Sequence, residues 1–219
     1  CIRDRRVLMI DLDPQGNTTS GLGMEVDDKS IYEVIMGRMK LTDVMEETEF
    51  KNLSIAGSDV RLANAELELV EVEKREYRLK TAVQSVQQDF DFIFIDCPPS
   101  LGLLTINALG AADSVLIPIQ CEYYALEGVA SLMNTISRVK KTINPHLEIE
   151  GVLLTMLDGR TNLGLQVVDE VKKHFKKQVY ATVIPRSVRL GEAPSHGEPI
   201  HVYDKRSAGC VAYVNLAKE

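Results

Sequence analysis

The chain has 219 residues, a length that suits one α/β domain, and its 45% hydrophobic and 26% charged residues are typical of a globular protein. The formal net charge of −7 excludes a polybasic nucleic-acid binder, so any contact with DNA would need a local basic patch. The four cysteines form no C-x-x-C pair, which argues against a disulfide framework or a zinc site, and no apolar run reaches transmembrane length.

Short apolar runs rich in β-branched residues predict the strands. Such continuous runs indicate strands that are buried on both faces, as in a parallel sheet covered by helices. In chain order the runs are Val7–Leu12, a weaker candidate at Leu53–Ala56, then Phe92–Ile95, Ser114–Ile119, Gly151–Met156 and Val179–Ile184.

Helical segments are predicted between these runs. Ser30 and Glu33 form a capping-box pattern, and Gly37 is a plausible end for that helix. Further helices are predicted at Arg75–Gln88, Ala125–Ile143, Leu163–Phe175 and Ala208–Lys218. In the second and third of these, apolar residues recur on one face, and core packing is a simpler explanation for them than a partner surface. They are Leu126, Val129, Leu132, Met133, Ile136 and Val139, and then Leu165, Val168, Val171 and Phe175. Alternating strands and helices predict an α/β fold with a three-layer, doubly wound, mostly parallel sheet in one domain over residues 1–219.

The first predicted strand ends in the segment Asp11-Leu12-Asp13-Pro14-Gln15-Gly16-Asn17. Ligands of such sheets bind at the carboxyl ends of the strands, so two carboxylates at this tip could form a magnesium and water site. A simple turn or helix cap is an equal alternative, because Asp, Pro, Gly and Asn all favour turns. The segment alone leaves both interpretations open.

The strand that begins at Phe92 ends in Asp96, which is the Walker B pattern of four apolar residues followed by a carboxylate. Such a strand places its carboxylate at the tip, where it can hold a magnesium ion through a water molecule. Many α/β strands end in Asp, so the pattern becomes specific only with the Cys97-Pro98-Pro99-Ser100-Leu101-Gly102 segment that follows.

Five blocks of the sequence resemble the ParA/Soj branch of the deviant Walker A ATPases, in the MinD/ParA superfamily. In order they are VLMIDLDPQGNTTSGLG, FIFIDCPPSLGLLTINAL, PIQCEYYALEG, GVLLTMLDGRTNLG and VIPRSVRLGEAPSHGEPI, and together they extend over most of the chain. The resemblance implies a fold like that of P-loop NTPases, with ATP and Mg²⁺ as cofactors.

The resemblance also implies roles for the three aspartates. Asp13 would help to position the attacking water, Asp11 would belong to the magnesium and nucleotide environment, and Asp96 would be the Walker B carboxylate.

Two further groups of residues receive roles from the resemblance. Thr155 and Met156, with Pro185 and Arg186, correspond to segments that line the adenine pocket. Arg160 and Arg189 match basic positions that contact DNA, although a surface ion pair is the simpler role for either residue alone.

The resemblance implies a homodimer when ATP is bound, non-specific DNA and a ParB-type centromere-binding protein as partners, and a cytoplasmic, nucleoid-associated location without membrane binding. Pairing two subunits would double the phosphate contacts, which reconciles an acidic chain with DNA binding.

The family's phosphate-binding loop, roughly KGGxGKT[TS], should precede Val7, and the 219 residues contain no G-x-x-x-x-G-K-[ST] segment. We therefore expect an N-terminally truncated domain without its first strand, which folds poorly or packs with an exposed sheet seam where that strand would have paired. One alternative is thus a nucleotide-incompetent fragment or interaction module.

Two other classes of related protein are alternatives for this sequence. A MinD-like membrane-cycling ATPase would carry a basic amphipathic helix, which the ending VAYVNLAKE does not show. An iron–sulfur reductase of similar fold would need paired cysteines, and the surroundings of Cys97 and Cys121 match the partition branch better.

Overall fold

The computed structural model describes residues 4–122 and 125–219, and in that part of the chain it contains seven strands and ten α-helices. The chain divides into two compact units. The amino-terminal unit contains residues 4–112 and 142–145, and the carboxy-terminal unit contains residues 113–122, 125–141 and 146–219. None of the helices in the described part has the length and apolar character that a bilayer-spanning segment needs.

The predicted strands and helices occur in the expected order, with further short elements between them. The strands are β1 (Val7–Asp11), β2 (Met45–Glu47), β3 (Leu53–Ala56), β4 (Phe92–Asp96), β5 (Ser114–Gln120), β6 (Glu148–Leu157) and β7 (Val179–Pro185). The helices are α1 (Asn17–Gly21), α2 (Ile31–Ile35), α3 (Leu62–Glu68), α4 (Arg78–Gln84), α5 (Leu103–Ala111), α6 (Ala125–Thr142), α7 (Asn162–Phe175), α8 (Val188–Glu192), α9 (Ile200–Tyr203) and α10 (Ala208–Leu216).

The sheet of the amino-terminal unit has the strand order β2-β3-β1-β4. Strand β1 pairs in parallel with β3 on one side and β4 on the other, whereas the short β2 is antiparallel. Leu8 and Ile10 of β1 are fully buried, as its continuous apolar run predicts. Strand β4 forms the sheet edge, where Phe92 and Phe94 are 45% and 49% exposed. One face of β4 is therefore exposed, and the predicted burial of this strand on both faces is wrong.

Helices α2 to α5 supply many of the other side chains of the core in the amino-terminal unit. The fully or nearly fully buried members are Leu8, Ile10, Leu12, Ile31, Ile35, Leu62, Leu69, Leu79 and Leu104. The hydroxyl oxygen of Ser30 accepts a hydrogen bond from the backbone N–H of Tyr32, so the predicted capping residue does begin α2. This core fixes β1 and β4 as neighbours and thereby fixes the positions of their tips.

The carboxy-terminal unit contains a separate three-stranded parallel sheet in the order β5-β6-β7. Helix α7 buries Val168, Val171 and Phe175, but Leu165 is 48% exposed, so its predicted place on the buried face is wrong. In α6, Val129, Ile136 and Val139 are buried, which supports core packing as the reason for that stripe; the side chain of Leu126 lies outside the described residues.

The predicted α/β class with mostly parallel strands is confirmed, and each predicted strand is present within three residues of its expected bounds. The predicted helix at Arg75–Gln88 is split into a 3-10 turn at Arg75–Tyr77 and α4, which ends at Gln84, because Tyr77 between the two parts has a non-helical backbone. The single-domain prediction stays a prediction.

Candidate functional site

Two aspartates end neighbouring strands of the amino-terminal sheet. In the parallel pairing of β1 with β4, Asp11 lies opposite Asp96, and the backbone N–H of Leu12 donates a hydrogen bond of 2.8 Å to the carbonyl oxygen of Asp96. Asp11 is completely buried, whereas Asp96 is exposed. The two carboxylates predicted from separate motifs are therefore brought together, one inside the protein and one at its surface.

The buried carboxylate of Asp11 is surrounded by donors from its own chain. Its Oδ2 accepts hydrogen bonds from the backbone N–H and the hydroxyl of Thr19, at 2.8 and 2.7 Å, and its Oδ1 accepts one from the N–H of Asp13 at 3.2 Å. Burial raises the pKa of Asp11, the bonds from Thr19 and Asp13 oppose that rise, and the charge of Asp96 adds to it.

Asp13 begins a tight turn. Its Oδ1 accepts a hydrogen bond of 3.0 Å from the N–H of Gln15, and its carbonyl accepts one from the N–H of Gly16. Gly16 has φ of 63°, in the left-handed region that glycine adopts without strain. The turn that the sequence offered as an alternative is thus formed, and it holds Asp13 half-buried beyond the tip of β1.

The exposed carboxylate of Asp96 has a close partner in α1. The hydroxyl of Thr18 donates to Oδ2 of Asp96 at 2.6 Å, and no hydrogen bond from the described residues reaches its Oδ1. Two of the aspartates also act on the thiol of the neighbouring Cys97. Burial is the largest cause that raises the pKa of Cys97 to about 12, and the negative charges of Asp96 and Asp13 add to the rise. The three aspartates therefore lie in one electrostatic neighbourhood.

The donor set at these strand tips fits a magnesium ion that keeps most of its water. Mg²⁺ prefers oxygen ligands and is commonly bound through one or two carboxylates plus water, and Asp96 offers an accessible carboxylate oxygen. Asp11 offers no accessible oxygen, because its side chain is completely buried and both of its oxygens accept hydrogen bonds from the protein. Within residues 4–122 and 125–219, no three His, Cys, Asp or Glu side chains form a cluster that could hold a metal by themselves.

The residues predicted for the adenine pocket lie together in the carboxy-terminal unit. Leu157 of β6 pairs with Pro185 of β7, and the N–H of Arg186 donates to the carbonyl of Leu157 at 3.0 Å. Thr155 and Met156 are the residues just before Leu157, so both predicted segments meet at the carboxyl ends of adjacent strands.

Met156 has φ of 54°, which is uncommon for a residue with a long side chain. Such strain concentrates at functional sites, so this backbone geometry is compatible with a ligand-contacting role. The Arg186 guanidinium forms an ion pair with Glu122, and both side chains are half exposed. The role of these residues at a nucleotide stays a prediction.

Both arginines predicted to contact DNA are exposed and are already paired with carboxylates. Arg160 forms two parallel hydrogen bonds to Asp158, at 2.9 and 2.7 Å, and its side chain is 89% exposed. The Arg160 side chain and backbone, with a smaller contribution from Arg186, lower the pKa of Asp158 to about 2. Arg189 pairs with Glu192 at 3.0 Å and with Asp204 at 3.6 Å.

The sequence analysis did not identify the threonine hydroxyls that bond to Asp11 and Asp96, nor the carboxylates that pair with Arg160 and Arg189. Thr18 and Thr19 follow Gly16-Asn17 at a helix start, where threonine is expected only as a capping residue. The spacing Arg189-x-x-Glu192 was readable as a local ion pair, whereas the two-residue spacing of Asp158 and Arg160 did not indicate one.

Comparisons with known proteins agree on the relatives of this chain. A family model described as an AAA domain matches residues 2–149. The sporulation initiation inhibitor protein Soj of Bacillus subtilis is 58% identical over 217 residues, which cover 98% of this chain and 86% of Soj. The chromosome partitioning protein ParA of Myxococcus xanthus is 50% identical over 218 residues, which cover 99% of this chain and 77% of that protein. Among solved structures, this chain is similar to cobyrinic acid a,c-diamide synthase from Mycobacterium smegmatis, which was solved with a bound ATP analogue and magnesium. The TM-score is 0.84 and the sequence identity is 37%, and the match covers 99% of this chain and 82% of the synthase chain.

Proposed function

This chain belongs to the ParA/Soj family of chromosome-partitioning ATPases, and from that premise we propose that it is an ATP-hydrolysing switch that acts in DNA segregation as a nucleotide-bound homodimer. The observation that carries the proposal is the meeting of Asp11, Asp13 and Asp96 at the tips of two adjacent parallel strands. Ligands of α/β sheets bind at this edge, and the solved relative with 37% identity holds an ATP analogue and magnesium.

In the proposed reaction, phosphoryl transfer depends on positioning and charge neutralisation more than on covalent chemistry with the protein. Bound magnesium would neutralise charge on the phosphate oxygens. Asp96 would hold that ion through water, since its carboxylate is exposed and keeps one oxygen that accepts no hydrogen bond from the described residues. Asp13, fixed by its turn beside Asp96, orients the attacking water.

The base of the nucleotide is assigned to the carboxyl ends of β6 and β7. Thr155, Met156, Pro185 and Arg186 form that group, and the backbone hydrogen bond from Arg186 to Leu157 keeps the two segments together. Phosphate cradling is assigned to the family's phosphate-binding loop, which is absent from the 219 residues as a motif; its place before Val7 stays a prediction.

DNA binding is assigned to Arg160 and Arg189. A net charge of −7 gives the chain no general attraction to DNA, so affinity has to come from such local cations. A dimer that pools the arginines of two subunits raises affinity steeply, because each phosphate contact releases counterions. Hydrolysis, stimulated by a ParB-type partner, would return the subunits to a weakly binding form.

The test uses the protein as encoded by its gene, with Asp13→Ala as the variant. The control is Asp89→Ala, because Asp89 is exposed and lies far from the turn in the sequence. A fluorescent ATP analogue should bind to all three proteins in the presence of Mg²⁺. We expect Asp13→Ala to lower kcat for ATP hydrolysis by about 100-fold or more, since positioning of a nucleophile contributes on that scale.

Two results would count against the proposal. If the wild-type protein shows no magnesium-dependent binding of the ATP analogue, the interaction-module alternative gains and the ATPase assignment fails. If the protein hydrolyses ATP but Asp13→Ala behaves like Asp89→Ala, the role of Asp13 is wrong.

A further inference from the structure

Two consecutive threonines of α1 reach two different strand tips. Thr18 donates its hydroxyl to Asp96 at 2.6 Å, and Thr19 donates both its N–H and its hydroxyl to Asp11. Because residues 18 and 19 lie about 100° apart on a helix, their side chains diverge, one toward the surface and one into the core. This matches the observed exposure, in which Thr19 is 4% exposed and Thr18 is half-buried.

Thr19 also links the site to a third strand. Its hydroxyl oxygen accepts a hydrogen bond of 3.0 Å from the backbone N–H of Ser58, just after β3. The Thr19 hydroxyl therefore donates to one partner and accepts from another, which fixes its rotamer. Serine could keep both bonds, whereas valine, with nearly the same shape, could keep neither.

The lengths of these bonds indicate strong interactions. Hydroxyl-to-carboxylate bonds of 2.6 and 2.7 Å fall in the range of charge-assisted hydrogen bonds, which are about twice as strong as neutral ones. A carboxylate held by such a bond keeps one orientation, and the Thr18 bond leaves the second oxygen of Asp96 open.

We propose that Thr18 and Thr19 are positioning residues of the ATPase site: Thr18 orients the Asp96 carboxylate, and Thr19, through Asp11, fixes the turn that carries Asp13. The proposal rests on the proposed ATPase function. It reassigns Asp11 from the magnesium environment, which the family resemblance implied, to an internal anchor of the turn. Neither threonine touches the nucleotide in this scheme, so each acts through the aspartate that it holds.

The kinetic arm of the test compares Thr18→Val and Thr19→Val with Thr18→Ser and Thr19→Ser, in the protein as encoded by its gene. The control is Thr81→Val, because the exposed Thr81 hydroxyl, within the described part of the chain, bonds only to the carbonyl of Tyr77, the residue just before α4. We expect each valine variant to lower kcat by about tenfold with KM for ATP changed less than about twofold, and each serine variant to recover most of the loss. Valine variants that match Thr81→Val, or serine variants as impaired as valine, would overturn the proposal.

A second arm measures amide hydrogen exchange without nucleotide. Thr19→Val should speed exchange of the Gln15 and Gly16 amides several-fold, because the turn loses its anchor, while Thr19→Ser and Thr81→Val leave it unchanged. If the wild-type protein hydrolyses no ATP, the ATPase assignment fails and this arm still decides the anchoring role. Unchanged exchange in Thr19→Val would refute that role whatever the kinetics show.

Discussion

Three aspartates within one neighbourhood differ in what their surroundings allow them to do. Asp11 is buried and accepts three hydrogen bonds from the protein, and Asp13 is held in a turn. Asp96 is exposed, and one of its oxygens accepts no hydrogen bond from the described residues. Identical side chains thus have surroundings that suit different roles: those of Asp11 an internal anchor, those of Asp13 a positioned carboxylate and those of Asp96 the proposed metal ligand. The division follows from burial and from the number of donors around each carboxylate.

The pairing of Arg160 with Asp158 predicts that DNA has to compete with an internal carboxylate. Two parallel hydrogen bonds to Asp158 partly neutralise the charge of the guanidinium. Because the pair is exposed to solvent, it is weak, and its effect on DNA affinity should be small. We expect Asp158→Asn to strengthen binding to non-specific DNA by about two- to fivefold. The measurement is a fluorescence-anisotropy titration with a DNA duplex under nucleotide-bound conditions.

The matched control is Glu170→Gln, which removes the same charge from the ion pair with Lys173, 2.6 Å long, on α7. Weaker DNA binding by Asp158→Asn would show instead that the carboxylate orients Arg160 for phosphate. The pKa of Asp158 is lowered to about 2, so the pair is present above the ordinary value of 3.8 and is lost only as pH falls through about 2. The effect of the substitution should therefore not change with pH near neutrality.

At the scale of elements, the close approach of α1 to the segment after β3 depends on a glycine. A Cβ atom on Gly57 would lie 2.4 Å from Cγ2 of Val26 and 3.1 Å from Cγ2 of Thr19. The carbonyl of Gly57 also accepts a hydrogen bond of 2.9 Å from the N–H of Ile31, at the start of α2. An added methyl group would thus clash with Val26 and crowd Thr19, while the hydrogen bond from Ile31 restricts movement of the Gly57 backbone.

We therefore expect Gly57→Ala to lower the free energy of unfolding by about 1–3 kcal/mol, the usual range for overpacking. Gly21→Ala is the matched control, since a Cβ there meets no atom within 4 Å, and it should be neutral or stabilising by up to about 1 kcal/mol. Urea titration of both variants decides the matter, and equal stabilities would show that the packing around Gly57 relaxes freely.

The sequence predicted the elements that have a strong internal pattern and missed those that depend on distant partners. Strands β1 and β4 were readable because both faces of their apolar runs suggested burial. Strand β2 has three residues, two of them glutamates, and exists through its antiparallel pairing with β3. Helix α1 has five residues, too few to show a helical period.

The same distinction applies to the candidate site. The meeting of Asp11 and Asp96 was predictable, because carboxyl ends of adjacent parallel strands share one sheet edge. The bond from Thr18 to Asp96 joins residues 78 positions apart, and nothing local in the sequence marks it. Side-chain partners across such distances are fixed by packing, which residue patterns do not encode directly.

For the molecule as a whole, an excess of acidic residues has to coexist with the proposed attraction to DNA. With a formal charge of −7, most of the surface repels phosphate, and binding should come from few cations at defined places. Few contacts also mean a modest dependence of affinity on salt, because each neutralised phosphate contributes about 0.9 to the slope of log K against log salt.

We expect Arg160→Ala to reduce the magnitude of that slope by about 1 per arginine lost from a phosphate contact, and by about 2 in a dimer that uses both copies. The measurement is DNA affinity at several salt concentrations with the ATP-bound protein. The control is Lys51→Ala, which removes one positive charge at an exposed turn before β3. Arg138→Ala is less suitable, because Arg138 interacts with other residues. The Lys51 variant should leave the slope unchanged if binding is local. Equal reductions by both variants would mean that DNA senses only the total charge, and the assignment of Arg160 to a phosphate contact would then be wrong.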